Sequence, residues 1–113
     1  MSSTADRAYL EHIVEAINKI RVSAAGGQAV LLADEDAYDA PLRRLHTIAE
    51  STQRLSAELK ARHPEVPWDA LAGFRNRIVH AYMDVDPALI WRFIESDLDA
   101  LRQLAEKELS ADQ

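Results

Sequence analysis

Apolar residues recur along almost the whole chain at intervals of three and four, and nowhere do they alternate for long enough to read as a strand. Tyr9, Leu10, Ile13, Val14, Ile17 and Ile20 form one stripe between about Thr4 and Ser23, with Glu11, Glu15, Asn18 and Lys19 facing away. Leu42, Leu45, Ile48, Ala49, Thr52, Leu55 and Leu59 form a second. Ile90, Phe93, Ile94, Leu98, Leu101 and Leu104 form a third. A helix with one apolar stripe must bury it against another element, so these stripes must face one another. The pattern predicts an all-α, antiparallel helical bundle with three long helices and shorter ones. At 113 residues the length supports one modest core and not two, so residues 1–113 are expected to form a single domain.

Glycines, prolines and capping residues punctuate the stripes. Ser3 or Thr4 can cap the first helix, and Gly26-Gly27 ends it. Ala29-Val30-Leu31-Leu32 reads as a brief helix or loop over the end of the bundle. The second long helix is expected to begin between Asp36 and Ala40, because Pro41 suits only a first turn, with Asp36 or Asp39 as its cap. It should run unbroken to His63-Pro64-Glu65-Val66-Pro67. Trp68 opens a shorter helix through Leu71, Phe74, Ile78 and Val79, with Gly73 as a weak point and Met83-Asp84-Val85 as the next break. Asp86-Pro87, a capping carboxylate before a proline, starts the last helix, which runs to about Leu109.

Composition removes several function classes. There is no cysteine, hence no disulfide framework and no thiolate metal site. The four histidines are scattered, and Asp84 with Asp86 makes a poor magnesium site, so neither a metal nor any other cofactor is expected. No apolar run could span a membrane, and the first residues lack a basic segment followed by an apolar one, so a soluble cytoplasmic protein is expected. The net charge of −6 argues against a general nucleic-acid coat. The charge is uneven, however: acids crowd Asp34-Glu35-Asp36, and Arg43, Arg44, Arg54, Lys60, Arg62, Arg75 and Arg77 follow, enough for a local basic cleft.

The stretch Phe74-Arg75-Asn76-Arg77-Ile78-Val79-His80-Ala81-Tyr82 concentrates chemistry-bearing side chains. Arg75 offers a permanently charged fork that suits phosphate oxygens. His80 can give or take a proton near neutral pH, Asn76 can hold either by hydrogen bonds, and Tyr82 supplies a hydroxyl. On one helix Arg75 and Tyr82 fall about 20° apart and Asn76 and His80 about 40° apart, but Arg75 and His80 diverge by about 140°. Either the helix ends or bends near His80, or a second copy of the chain completes the site. Arg77 points away from Arg75 and reads as a solvated or dimer-facing charge. His12, His46 and His63 read as structural, with His46 one turn from Glu50 and able to pair with it. Trp68 and Trp91 read as core or interface anchors.

The motif R-x4-H-x-Y, here Arg75 to Tyr82, resembles that of HepT-type members of the HEPN superfamily. The stretch His63-Pro64-Glu65-Val66-Pro67-Trp68 before it, Asp84-Val85-Asp86-Pro87-Ala88-Leu89-Ile90-Trp91 after it, and Leu45-His46-Thr47-Ile48-Ala49-Glu50 upstream extend the resemblance over nearly the whole chain. It departs at Pro41, where relatives usually carry an aliphatic residue, and at Ala49 and Ser51, which stand in for a common Gly and Ala. The resemblance implies a metal-independent ribonuclease toxin, homodimeric, with Arg75 and His80 of two protomers lining one cleft on tRNA or mRNA. It also implies a partner, a small nucleotidyltransferase antitoxin that neutralises the toxin by transferring AMP to Tyr82. Asn76 would support the catalytic pair. A second reading shares the fold: a non-catalytic subunit that presents nucleotide or substrate to the nucleotidyltransferase.

Overall fold

The computed structural model describes residues 3–31, 33, 35–80 and 87–111, the side chains of residues 35, 78–80 and 89 excepted. Among them the chain is all helical: α1 Thr4–Ala24, α2 Gln28–Leu31, α3 Glu35–Arg54, α4 Ala57–Arg62, α5 Trp68–His80, α6 Pro87–Arg92, a π-helical turn Phe93–Asp97, and α7 Leu98–Ala111. α1 lies at the centre, packed on α3 and α7, and α3 carries α5 on its other side. Leu10, Ile13, Ile17 and Ile20 of α1 have no exposed surface and meet the equally buried Leu45, Ile48 and Leu101 in one core. Each such side chain contributes about 1.5–3 kcal/mol on leaving water, so α1 alone brings roughly 6–12 kcal/mol. No helix of the described residues is long and apolar enough to cross a membrane.

The helix ends follow local chemistry. The Ser3 hydroxyl accepts the Asp6 backbone N–H at 3.0 Å, capping α1. Gly27 takes φ +93, a left-handed conformation that side chains resist, and turns the chain into the one-turn α2. α5 passes through Gly73 without a break, and α6 starts at Pro87, as a proline at the first helical position should. The expected break at residues 83–85 lies outside the described residues, as do the Asp86 cap and Tyr82.

Three boundaries differ from the sequence expectation. Pro41 sits in the second turn of α3 and not its first, and Asp36 and Asp39 lie inside the helix rather than capping it. Pro41 forfeits the bond to the Ala37 carbonyl. The turn before it persists because acids suit the positive end of the helix dipole, Tyr38 packs against the core, and Asp39 faces Arg43 at 3.5 Å. The second long helix is also divided, α3 stopping at Arg54 and α4 starting at Ala57. Buried Asp6 imposes the break: its carboxylate accepts the Ser56 backbone N–H at 2.8 Å and the Ser56 hydroxyl at 2.6 Å. Ser56 in turn accepts the Leu59 N–H and caps α4. Finally, the last helix contains a π-helical turn, within which Phe93 stacks on Phe74 with ring centroids 4.6 Å apart.

A second buried polar cluster ties α7 to the α4–α5 connection. Glu108 receives both arms of the Arg62 fork, each at 3.1 Å, and lies 2.7 Å from His63 Nε2. His63 Nδ1 faces Glu65 at 3.2 Å, and the Trp68 indole N–H donates to the His63 carbonyl at 2.9 Å. The structural readings of His63 and Trp68 therefore hold.

Candidate functional site

α5 leaves its apolar residues Leu71 and Phe74 in the core and sets Arg75 at the edge facing α3. On α3 the buried Ala49 faces inward and places its neighbour Glu50 at the same edge. The two meet, with Arg75 Nε donating to Glu50 Oε1 at 2.8 Å. One turn earlier, His46 Nε2 lies 3.7 Å from the same oxygen. The Arg75 guanidinium holds the Glu50 carboxyl below the usual carboxylate range, against the opposing effect of burial, with help from the charges of His46 and Arg54.

This arrangement leaves a particular edge of Arg75 available. Glu50 occupies the Nε side, and the Asn76 side-chain oxygen accepts from Nη1 at 3.4 Å, a long and weak bond. No other hydrogen bond of the Arg75 fork is found among the described residues, and the side chain is 36% exposed, which leaves donors for a phosphate while Glu50 stays in place. Beside the pair opens a cavity of about 310 Å³ walled by Tyr9, His12, His46, Thr47, Glu50 and Arg54. Arg77 faces elsewhere, onto a separate cavity of about 300 Å³ shared with Gly73, Arg92 and Asp97. Burial there raises the Asp97 carboxyl above its ordinary value.

Of the residues singled out from the sequence, Arg75 and Asn76 are adjacent and in contact. His80 is the last residue of α5, and no break separates it from Arg75, so their backbone positions differ by about 140° around the helix. α5 ends at His80, one of the alternatives the sequence left open. The His80 side chain and all of Tyr82 lie outside the described atoms. Sequence reasoning missed Glu50 as the partner of Arg75, taking it only as a partner of His46. The signal was present but weak: a carboxylate on the edge of the second stripe, 25 residues before the arginine.

A sequence model of the family described as "Ribonuclease HepT-like" matches residues 9–108, a span that encloses the motif. Over 100 residues the chain is 33% identical to a protein of Thermococcus cleftensis named "Probable ribonuclease HepT", covering 88% of this chain and 91% of that one. It is 29% identical over 103 residues to a protein of Caldanaerobacter subterraneus subsp. tengcongensis provisionally named an RNase, covering 86% and 88% of the two chains. A Methanocaldococcus jannaschii protein, also provisionally named an RNase, is 28% identical over 67 residues, covering 59% and 62%. No solved structure matches the chain.

Proposed function

The chain belongs to the HepT-like ribonuclease family, and from that premise we propose that it cleaves RNA without a metal, at a cleft between two copies of itself, as the toxin of a type VII-like toxin–antitoxin pair. Membership carries the coarse activity: the chain is an endoribonuclease. The observation that supports the finer reading is the Arg75 fork, held by Glu50 on one side and open on the other, five positions before a histidine on the same unbroken helix.

In this reading the RNA's own 2′-hydroxyl is the nucleophile. His80 of one protomer takes its proton as the oxygen attacks phosphorus. The bond from phosphorus to the 5′-oxygen breaks, and His80 of the other protomer returns a proton to that leaving oxygen. The products are a 2′,3′-cyclic phosphate and a free 5′-hydroxyl. Such acid–base assistance is worth about 10²–10⁴-fold. Arg75 neutralises the charge that builds on the non-bridging oxygens, and Asn76 steadies it. The 140° divergence between Arg75 and His80 on one helix is what makes a second protomer useful, since each copy then supplies what the other cannot aim. Each copy contributes the single domain 1–113, and the pair works in the cytoplasm.

Regulation would act at Tyr82, two positions beyond His80. An AMP group transferred there from ATP by a nucleotidyltransferase antitoxin, with release of pyrophosphate, adds bulk and negative charge beside the phosphate site and repels RNA. Expression of the chain alone should arrest growth, and co-expression with the nucleotidyltransferase should relieve the arrest while raising the chain's mass in AMP-sized steps. Tyr82→Phe should block those steps. Absence of arrest, together with no RNA cleavage by the purified protein in EDTA, would favour the non-catalytic binding subunit instead.

A further inference from the structure

The cavity beside Arg75 does not end at His46. A second hollow of about 180 Å³, walled by His12, Lys19, Arg44 and Thr47, shares His12 and Thr47 with it. The two hollows lie side by side along the seam between α1 and α3, with His12 and Thr47 as their common wall, and are treated together as one channel. In a chain of net charge −6 its charge is unusual. Its two carboxylates are both matched by cations: Glu15 by Lys19 at 2.9 Å, and Glu50 by Arg75 at 2.8 Å. Arg54 at one end and Arg44 at the other form no ion pair among the described residues. Between them, His12 and His46 line the walls.

The spacing bears on the ligand. Arg44 and Arg54 are ten positions apart on α3, roughly 15 Å at the helical rise. A single small anion would not touch both, whereas an extended polyanion would. Arg54 lies one turn beyond Glu50, so the channel begins beside the Arg75 fork. We propose that this channel is a substrate subsite that grips the phosphates of a single RNA strand as it leaves the scissile linkage, with Arg54 and Arg44 as its contacts. The inference rests on the ribonuclease reading and deepens it by placing part of the substrate outside the motif.

The test is equilibrium binding, with no cleavage needed. The probe is a fluorescent single-stranded 2′-O-methyl oligonucleotide of about a dozen nucleotides, a length within the usual range of single-strand sites. It lacks the attacking hydroxyl. Arg44→Ala and Arg54→Ala should each weaken binding by roughly three- to tenfold at low salt and lower the slope of log K against log salt by about 0.7. Arg102→Ala, on α7, should change neither. Wild-type affinity and slope in the Arg44→Ala/Arg54→Ala double variant would overturn the subsite. So would an equal loss in Arg102→Ala, or no binding by the unaltered chain. If the channel binds the probe and unmodified RNA is never cut, the ribonuclease reading fails and the subsite stands. If the double variant cuts RNA with undiminished kcat/KM, the subsite fails and the ribonuclease reading stands.

Discussion

Removing Glu50 should separate positioning from stability. The Glu50–Arg75 pair is 2.8 Å long, but its side chains are 31% and 36% exposed, so solvent screens it. Exposed pairs of this kind contribute about 0–1 kcal/mol. For a domain near this size, 1 kcal/mol is about 4 °C in Tm, so Glu50→Ala should lower Tm by no more than about 4 °C. The catalytic effect should be larger. Without Glu50 the Arg75 fork is free to swing, and a misplacement of about 1 Å can cost on the order of 10²-fold in rate. Single-turnover cleavage of a labelled RNA should show kcat falling about 100-fold in Glu50→Ala with KM little changed. Glu50→Gln keeps an acceptor for the Arg75 Nε–H and should recover part of the loss. The pH dependence has a definite sign. The folded Glu50 carboxyl titrates below its ordinary value of 4.5, so its contribution to stability is complete above 4.5 and disappears as pH falls through the folded value. The Tm gap between the native chain and Glu50→Gln should therefore be full at neutral pH and close in acid. Undiminished kcat in Glu50→Ala would refute the positioning role, as would a loss of rate that merely tracks unfolding.

Two further predictions concern the polar clusters that shape the bundle. Glu108→Ala leaves buried His63 Nε2 without its partner and frees the Arg62 fork; an unsatisfied buried group costs about 1–3 kcal/mol, giving a Tm drop of roughly 4–12 °C by calorimetry. A drop under about 2 °C would mean the cluster is satisfied by water instead. Asp6→Ala leaves the Ser56 backbone N–H and hydroxyl without their acceptor and should cost about 1–3 kcal/mol in urea titrations, with hydrogen exchange accelerated in α4 before α1. Uniform exchange across both helices would contradict Asp6 as the cause of the α3–α4 break.

The legible parts of the fold were those written in neighbouring residues. Ser3 capping Asp6, Gly27 turning the chain and Pro87 opening α6 each depend on contacts within one turn, and the three stripes predicted the core almost residue by residue. The α3–α4 break was hidden because its cause, Asp6, lies 50 residues from Ser56, and the apolar spacing runs through it undisturbed. Pro41 misled for a related reason: the first-turn rule is local, whereas Tyr38 packing on the core is not. The π-helical turn likewise leaves no mark in the three-and-four spacing of Ile90, Phe93 and Ile94. At the site, Arg75 and Asn76 were readable as a motif and their family was recognisable from the flanks, as the match over residues 9–108 bears out. Glu50 was not, because only the packing of α3 on α5 brings it to the arginine.

The most direct measurement is the rate at which purified Arg75→Ala and His80→Ala proteins cut RNA, each verified by circular dichroism to keep its helices. Both rates should fall at least about 100-fold, with each variant sedimenting as the proposed dimer. RNA cut at the unaltered rate by both variants, or by a protein that sediments as a monomer, would contradict a catalytic cleft built from these two side chains.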